Sequence, residues 1–287
     1  MSIEVENLTF TYMPKTPYAK TALNDISFNI EDGELFGIIG STGSGKSTLI
    51  QHFNGLLRAT SGKITVNGID LSQKKFDYKK LRSEVGLVFQ YPEYQLFDET
   101  VKADVAFGPK NLKLPKEEID ARVKEAIELV GLDYDEVADK APFDLSGGQK
   151  RRVAIAGVIA LRPKILVLDE PSAGLDPKGK KEILELIQRL RTTSPTVIII
   201  SHDMDEIAGI ADRIAVLDKG KLLHVLPPEK LFEMEDEIAR LGLDLPETVK
   251  IYKALNARGI TLPRMPVRKT ELASLILEYF KEGKGAF

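Results

Sequence analysis

Gly40-Ser41-Thr42-Gly43-Ser44-Gly45-Lys46-Ser47 has the form G-x-x-x-x-G-K-[ST]. Its flanks supply the setting that pattern requires. Before it, Leu35-Phe36-Gly37-Ile38-Ile39 is a short apolar run with the length of a buried strand. After it, Leu49, Ile50, Phe53 and Leu57 recur at helical spacing. Strand, glycine loop and helix together make a phosphate cradle. The glycines let backbone N–H groups converge on phosphate oxygens, and the helix N-terminus adds its positive end. Lys46 is placed to bridge β- and γ-phosphates, the Ser47 hydroxyl to sit on Mg²⁺, and Thr48 extends the cradle. A glycine turn matching by chance would lack the lysine, the serine and both flanking elements. The expectation is a nucleoside triphosphate.

The 287 residues, 43% of them hydrophobic, suffice for a full core with room for a second small domain. A net charge of -3 gives no electrostatic case for a nucleic-acid partner. The absence of cysteine removes disulfides, thiolate chemistry and Cys-ligated metals. Met1 to Glu6 lacks the basic and apolar regions of a signal peptide. The longest apolar run, Val153 to Leu161, is far short of a membrane span. The chain reads as soluble, related to a membrane only through a partner.

Along the chain, Ile3, Val5 and Leu8 alternate with polar residues, and Leu23 to Ile30 reads as a second strand. Between them a proline-bearing loop carries Tyr12, a candidate stacking platform for a purine, with Tyr18 as a rival and core packing as the plain alternative. Val85 to Phe89 is a strand ending in Gln90. That amide either coordinates Mg²⁺ or orients water, or is an ordinary edge glutamine. A helix is predicted from Pro115 to Val130, closed by Gly131.

Leu145-Ser146-Gly147-Gly148-Gln149 offers a serine N-cap and two open glycines: either a second anion-binding helix start with no ligand of its own in view, or the commoner case of a serine-capped helix after a glycine turn. Ile165 to Leu168 is a buried strand delivering Asp169 to a metal and Glu170 to a water. Asp176 lies in a tight turn before a helix with Ile183, Leu184, Ile187 and Leu190 inward. The strand Val197 to Ser201 ends at His202, at the same sheet edge as Gln90 and Glu170, which marks it as a γ-phosphate contact. His52 and His224 read as structural. After Leu226 the texture changes to short helices, with Leu272, Leu275, Ile276, Tyr279 and Phe280 sharing one side of the last, and Glu233 to Glu237 a solvated acidic face.

Taken in order, these motifs resemble those of ATP-binding cassette (ABC) ATPases over roughly residues 1–225. The resemblance implies an α/β P-loop cassette: a RecA-like core, an antiparallel β subdomain and a helical signature subdomain at about 91–162. Residues 1–226 would form the nucleotide-binding domain and 227–287 a small C-terminal helical extension that helps hold an ATPase pair together. In this family Tyr12 falls where adenine stacks and Gln90 where metal and transporter are linked, and the turn with Asp176 is one of the ordered motifs, counted with the nucleotide-binding residues. Two cassettes pack head to tail, so Ser146, Gly147, Gly148 and Gln149 complete a partner's site. ATP and Mg²⁺ are the implied ligands, with Ser47, Gln90 and Asp169 at the metal, and Glu170, His202 and Gln90 as catalytic residues.

The segment Val88 to Phe97, with Asp104 to Pro109 and Arg151 to Gly157, resembles more narrowly the energy-coupling factor (ECF) importers of vitamins and cobalt, in particular the second of their two ATPases. That implies a paralogous ATPase as heterodimer partner (a homodimer being the alternative), a transmembrane coupling protein, a substrate-binding membrane protein, and a peripheral place on the cytoplasmic face. A soluble repair or translation ATPase would need a long coiled coil or a second cassette; neither occurs here.

Overall fold

The computed structural model describes residues 1–192 and 196–281. Strands β1 (Ile3–Tyr12), β2 (Lys20–Ile30) and β3 (Leu35–Ile39) are followed by helix α1 (Lys46–Phe53). Then come β4 (Ser61–Val66), β5 (Ile69–Asp70), α2 (Tyr78–Glu84) and β6 (Val85–Val88). A helical stretch of α3 (Val101–Asn111), α4 (Lys116–Leu129), α5 (Tyr134–Val137) and α6 (Gly147–Ile159) precedes β7 (Ile165–Asp169). Helix α7 (Pro177–Leu190) leads to β8 (Thr196–Ile200), α8 (Met204–Ile210), β9 (Arg213–Asp218) and β10 (Lys221–Leu226). The chain closes with α9 (Pro228–Leu231), α10 (Glu235–Arg240), α11 (Glu247–Ala257) and α12 (Lys269–Lys281).

The described residues form an antiparallel sheet, β2-β1-β4-β5, and a six-stranded sheet, β10-β9-β3-β8-β7-β6, parallel except for the β9–β10 pair. Alternation along the buried strands sorts side chains onto two cores. Leu35, Ile39, Leu166, Leu168, Val197 and Ile199 face one core, shared with α3, α4, α6, α7 and α8. Phe36, Ile38, Ile165, Val167, Ile198 and Ile200 face the other, closed by α1 and the antiparallel sheet. This is the α/β cassette expected, with β3, β8 and β7 side by side at its centre.

Three local expectations are corrected. On α7 the buried positions are Ile183, Leu186, Ile187 and Leu190, whereas Leu184 is only partly covered. Phe280 is 46% exposed, so the apolar side of α12 stops short of it. The acidic run is not simply solvated: Glu237 Oε1 meets His224 Nε2 at 2.7 Å, and Glu235 pairs with Lys253. After Leu226 the core continues, because Leu231, Phe232, Ile238, Val249 and Val267 pack into the helical-side cluster. Leu262, Leu272 and Leu275 make a small cluster of their own.

Candidate active site

Leaving β3, the chain must turn at Gly40 with φ +148°, and a Cβ there would lie 2.1 Å from the Leu217 carbonyl oxygen. Glycine is therefore required by both backbone and space. Lys46 folds back over the loop, donating to the carbonyls of Gly40 (2.7 Å) and Ser41 (3.0 Å). Burial lowers its pKa, against the raising influence of Glu170 and Asp169. The Ser44 hydroxyl is buried in the loop without a hydrogen-bond partner. A phosphate supplies what this cradle lacks: an anion for Lys46 in place of two carbonyls. Thr42, Gly43 and Ser47 remain exposed on its rim.

The Tyr12 hydroxyl lies 3.1 Å from Thr48 Oγ1, and its ring packs edge-on against Phe10 at 4.7 Å. Its ring is thus held beside the first turn of α1, while Tyr18 stands out in solvent. His52 is buried one turn further on, with Nδ1 2.8 Å from the Thr48 carbonyl.

The carboxyl ends of β8, which pairs with β3, and of β7 beyond it bring His202, Asp169 and Glu170 to the cradle, and β6 at the edge adds Gln90. Glu170 adopts φ +49° and donates its N–H to the Ile200 carbonyl at 2.9 Å. A left-handed glutamate is uncommon, and here it turns the side chain out of the sheet end. Glu170 Oε2 accepts from Gln90 Nε2 at 2.9 Å and lies 3.3 Å from His202 Nδ1. One carboxylate oxygen thus gathers two groups from strands far apart in sequence. Asp169 is buried, which raises its pKa, while the Ser47 hydroxyl bonded to it pulls the other way. A desolvated carboxylate beside a hydroxyl is a hard-oxygen pair that fits Mg²⁺, which takes few protein ligands and keeps phosphates and waters for the rest. Among the described residues no group of three or more His, Cys, Asp or Glu forms an all-protein metal cage.

Behind this cluster, Arg151 on α6 forms a bracket. Its guanidinium donates twice to Glu93, at 3.1 and 2.9 Å, and to the carbonyls of Pro171 (3.1 Å) and Ala173 (2.8 Å). It joins the segment after Gln90 to the turn after Glu170.

The second expected half-site stands apart from the cradle. Ser146 and Gln149 form a reciprocal capping box at the start of α6. A Cβ on Gly147 or Gly148 would meet nothing within 4 Å. Ser146, Gly148, Gln149 and Asp176 line an open cleft of about 690 Å³, whose lining includes none of residues 40–48. Asp176 itself caps α7, accepting the Gly179 N–H at 2.8 Å.

The ABC transporter family description matches residues 23–173, more than half the chain. The chain belongs to the ABC transporter family. Within that family it is 52% identical over 285 residues to the energy-coupling factor transporter ATP-binding protein EcfA2 of Caldanaerobacter subterraneus subsp. tengcongensis, with 99% of both chains covered. It is 49% identical over 282 residues to EcfA2 of Clostridium perfringens, covering 98% of this chain and 99% of the relative. Among solved structures it resembles CbiO1 of Clostridium perfringens, part of the ABC transporter complex CbiONQ. That match has a TM-score of 0.72 at 40% identity, covering 84% of this chain and 94% of the other. The MJ0796 cassette, solved as a dimer in a post-hydrolysis state with ADP and phosphate, matches with a TM-score of 0.69 at 30% identity, covering 79% and 98%. This ABC cassette is an ATPase of the energy-coupling factor type.

Sequence reasoning located every residue of the Gln90–Glu170–His202 cluster and missed Arg151 and Glu93. Both carried a local hint, a basic residue one turn into a helix and an acid three after Gln90, but only the fold pairs them.

Proposed function

We propose that this cassette hydrolyses ATP at the seam of an ATPase pair and thereby powers uptake through membrane partners. The convergence of Gln90 and His202 on Glu170 Oε2 carries this reading. Lys46 and the cradle amides hold the phosphates; Tyr12 stacks the adenine. Ser47, Asp169 and Gln90 would hold Mg²⁺, which would supply charge neutralisation to the bound phosphates. Glu170 accepts a proton from the attacking water, and His202 contacts the γ-phosphate. Positioning and charge stabilisation do most of the catalytic work.

The open glycines of Ser146–Gln149, and their distance from the cradle in the cleft lining, support completion of a partner's site rather than this chain's own. The partner is a paralogous cassette, with a second copy of this chain as the alternative. A groove of about 610 Å³, lined by Leu96, Phe97, Phe107 and Arg82, supports docking of a coupling protein's helix. Phe97 and Phe107 meet edge to face at 5.0 Å and both are exposed. No described helix is long and apolar enough to cross a membrane. Docking on that partner would hold the chain at the membrane, on the cytoplasmic face. The C-terminal helices from 227 onward support the pair; residues 282–287 lie outside the described residues.

The test is Glu170→Gln in the assembled complex. ATP binding is retained and turnover falls about 10²–10⁴-fold, the usual cost of losing a positioned base. Unchanged turnover refutes the assignment. Copurification from mild detergent with a second cassette and a coupling membrane protein tests the partners, and recovery of copies of this chain alone refutes the heterodimer.

A further inference from the structure

Glu206, on the first turn of α8, is a carboxylate only 4% exposed. Its Oε2 accepts from the hydroxyls of Ser172, at 2.7 Å, and Ser201, at 3.0 Å. Both serines are themselves buried. Ser172 lies two residues after Glu170, and Ser201 immediately precedes His202. The other oxygen, Oε1, has no hydrogen-bond partner; Lys180 Nζ lies 3.8 Å away, bound to Asp203 at 2.9 Å.

Burying a carboxylate is costly unless something offsets it, and an apolar residue of similar size is often the more stable choice. Packing alone therefore does not account for an acid here. The bonding direction is also fixed. Ser201 Oγ accepts the Asp203 N–H at 3.0 Å, so its single proton is left for Glu206. The β7–β8 ladder runs to Asp169 opposite Ile200, and the Glu170 N–H to the Ile200 carbonyl extends it one residue. Beyond that point Glu206 ties the loop after β7 to the loop after β8. His202, 67% exposed, has little packing to fix its ring.

We propose that Glu206 is a positioning residue that sets the Glu170–His202 separation by bonding the loop after β7 to the loop after β8 through Ser172 and Ser201. It acts through the two serines and touches neither nucleotide nor water. The inference rests on the reading of Glu170 and His202 as the hydrolytic pair.

The test is steady-state ATPase of the assembled complex, with kcat and KM separated and folding checked by thermal unfolding. Ser172→Ala removes its bond to Glu206, and Ser201→Ala removes its bond to Glu206 together with the one it accepts from the Asp203 N–H; each lowers kcat about 3- to 10-fold, with KM for ATP within about twofold. Glu206→Leu removes both serine–carboxylate bonds and lowers kcat about 10- to 100-fold. Glu206→Gln recovers most of that loss, because one amide oxygen accepts both hydroxyls. In a His202→Ala background Ser201→Ala costs nothing further, since the group it positions is gone.

Full additivity in that pair, Glu206→Gln no better than Glu206→Leu, or KM rising in step with falling kcat overturns the proposal. If Glu206→Leu fails to fold, the two serine variants and the pair with His202→Ala decide. Wild-type turnover in His202→Ala alone overturns the hydrolytic pair instead. Unaffected Ser201→Ala beside a crippled His202→Ala overturns only the role of Glu206.

Discussion

Replacing Glu93 by Gln perturbs the Arg151 bracket without changing side-chain size. The Arg151 side chain is 3% exposed and that of Glu93 18%. Four guanidinium N–H groups are engaged, two by the Glu93 carboxylate and two by backbone carbonyls. A glutamine offers one acceptor oxygen and turns its NH₂ toward a guanidinium N–H. One charge-assisted bond, of about 1.5–3 kcal/mol, is lost, and the ion loses its countercharge. Breaking a buried pair from one side costs about 3–5 kcal/mol. The two carbonyls remain and the Glu93 side is partly open to water, which puts the expected loss near the lower end, about 3 kcal/mol. With a urea m-value of about 3 kcal/mol/M, the unfolding midpoint falls by about 1 M. Equilibrium urea unfolding of the purified chain, followed by far-UV circular dichroism, reads it directly. Because Pro171 and Ala173 lie in the turn directly after Glu170, turnover in the complex falls as well. Arg151→Lys gives a comparable midpoint loss, since one ammonium cannot serve a carboxylate and two carbonyls in that fork. A midpoint within 0.2 M of wild type (roughly 0.6 kcal/mol at that slope) for Glu93→Gln would refute the bracket as an organising contact.

Three further outcomes follow from the same geometry. Gly40→Ala drives a methyl into the Leu217 carbonyl and the Ser44 hydroxyl, so ATP binding measured by titration calorimetry is abolished and the melting temperature falls; near-normal affinity contradicts the cradle described. Tyr12→Ala weakens ATP binding by about 5- to 150-fold, the equivalent of ~1–3 kcal/mol of base stacking, whereas Tyr12→Phe retains most of it; equal losses in the two variants would point to the hydroxyl instead. Burial holds the His52 pKa below its ordinary value, and protonation would put an N–H on Nε2, which has no acceptor. Its contribution to stability is therefore present above the ordinary value of about 6.5 and lost as pH falls through the depressed one, by up to about 1.4 kcal/mol per unit. Unfolding midpoints between about pH 7.5 and 5 (spanning that ordinary value) should flatten in His52→Leu; an unchanged slope assigns the acid sensitivity elsewhere.

Most of the candidate site could be read in the sequence because Asp169 ends a strand and Gln90, Glu170 and His202 follow strand ends within two residues. The apolar runs before Gly40, Asp169 and His202 declare buried parallel strands, and ligands collect at the carboxyl ends of such strands. What pairs across the fold was invisible. Arg151 and Glu93 are 58 residues apart, and neither position breaks a periodic pattern. Glu206 sits in a helix start crowded with acids, where a solvated carboxylate is the ordinary reading; only the two serines brought by separate loops distinguish it. The left-handed backbone of Glu170 carries no residue-type signal, since glycine rather than glutamate advertises positive φ. On α7 the stripe was shifted because the helix packs against a broad core, which widens the covered arc to include Leu186.

Strand β3 carries a cost in time. Its two neighbours, β8 and β9, pair with it through Leu35 opposite Val197 and Phe36 opposite Arg213. About 160 residues must therefore leave the ribosome before either edge is covered, which takes on the order of 10–30 s at usual synthesis rates. For that interval the nascent chain displays an apolar strand with two open edges, followed by the finished glycine loop. Chaperone capture, or aggregation where capture fails, is expected to centre on residues 35–39. Truncated chains ending before β8 should show it as segments that remain insoluble until Val197–Ile200 is added.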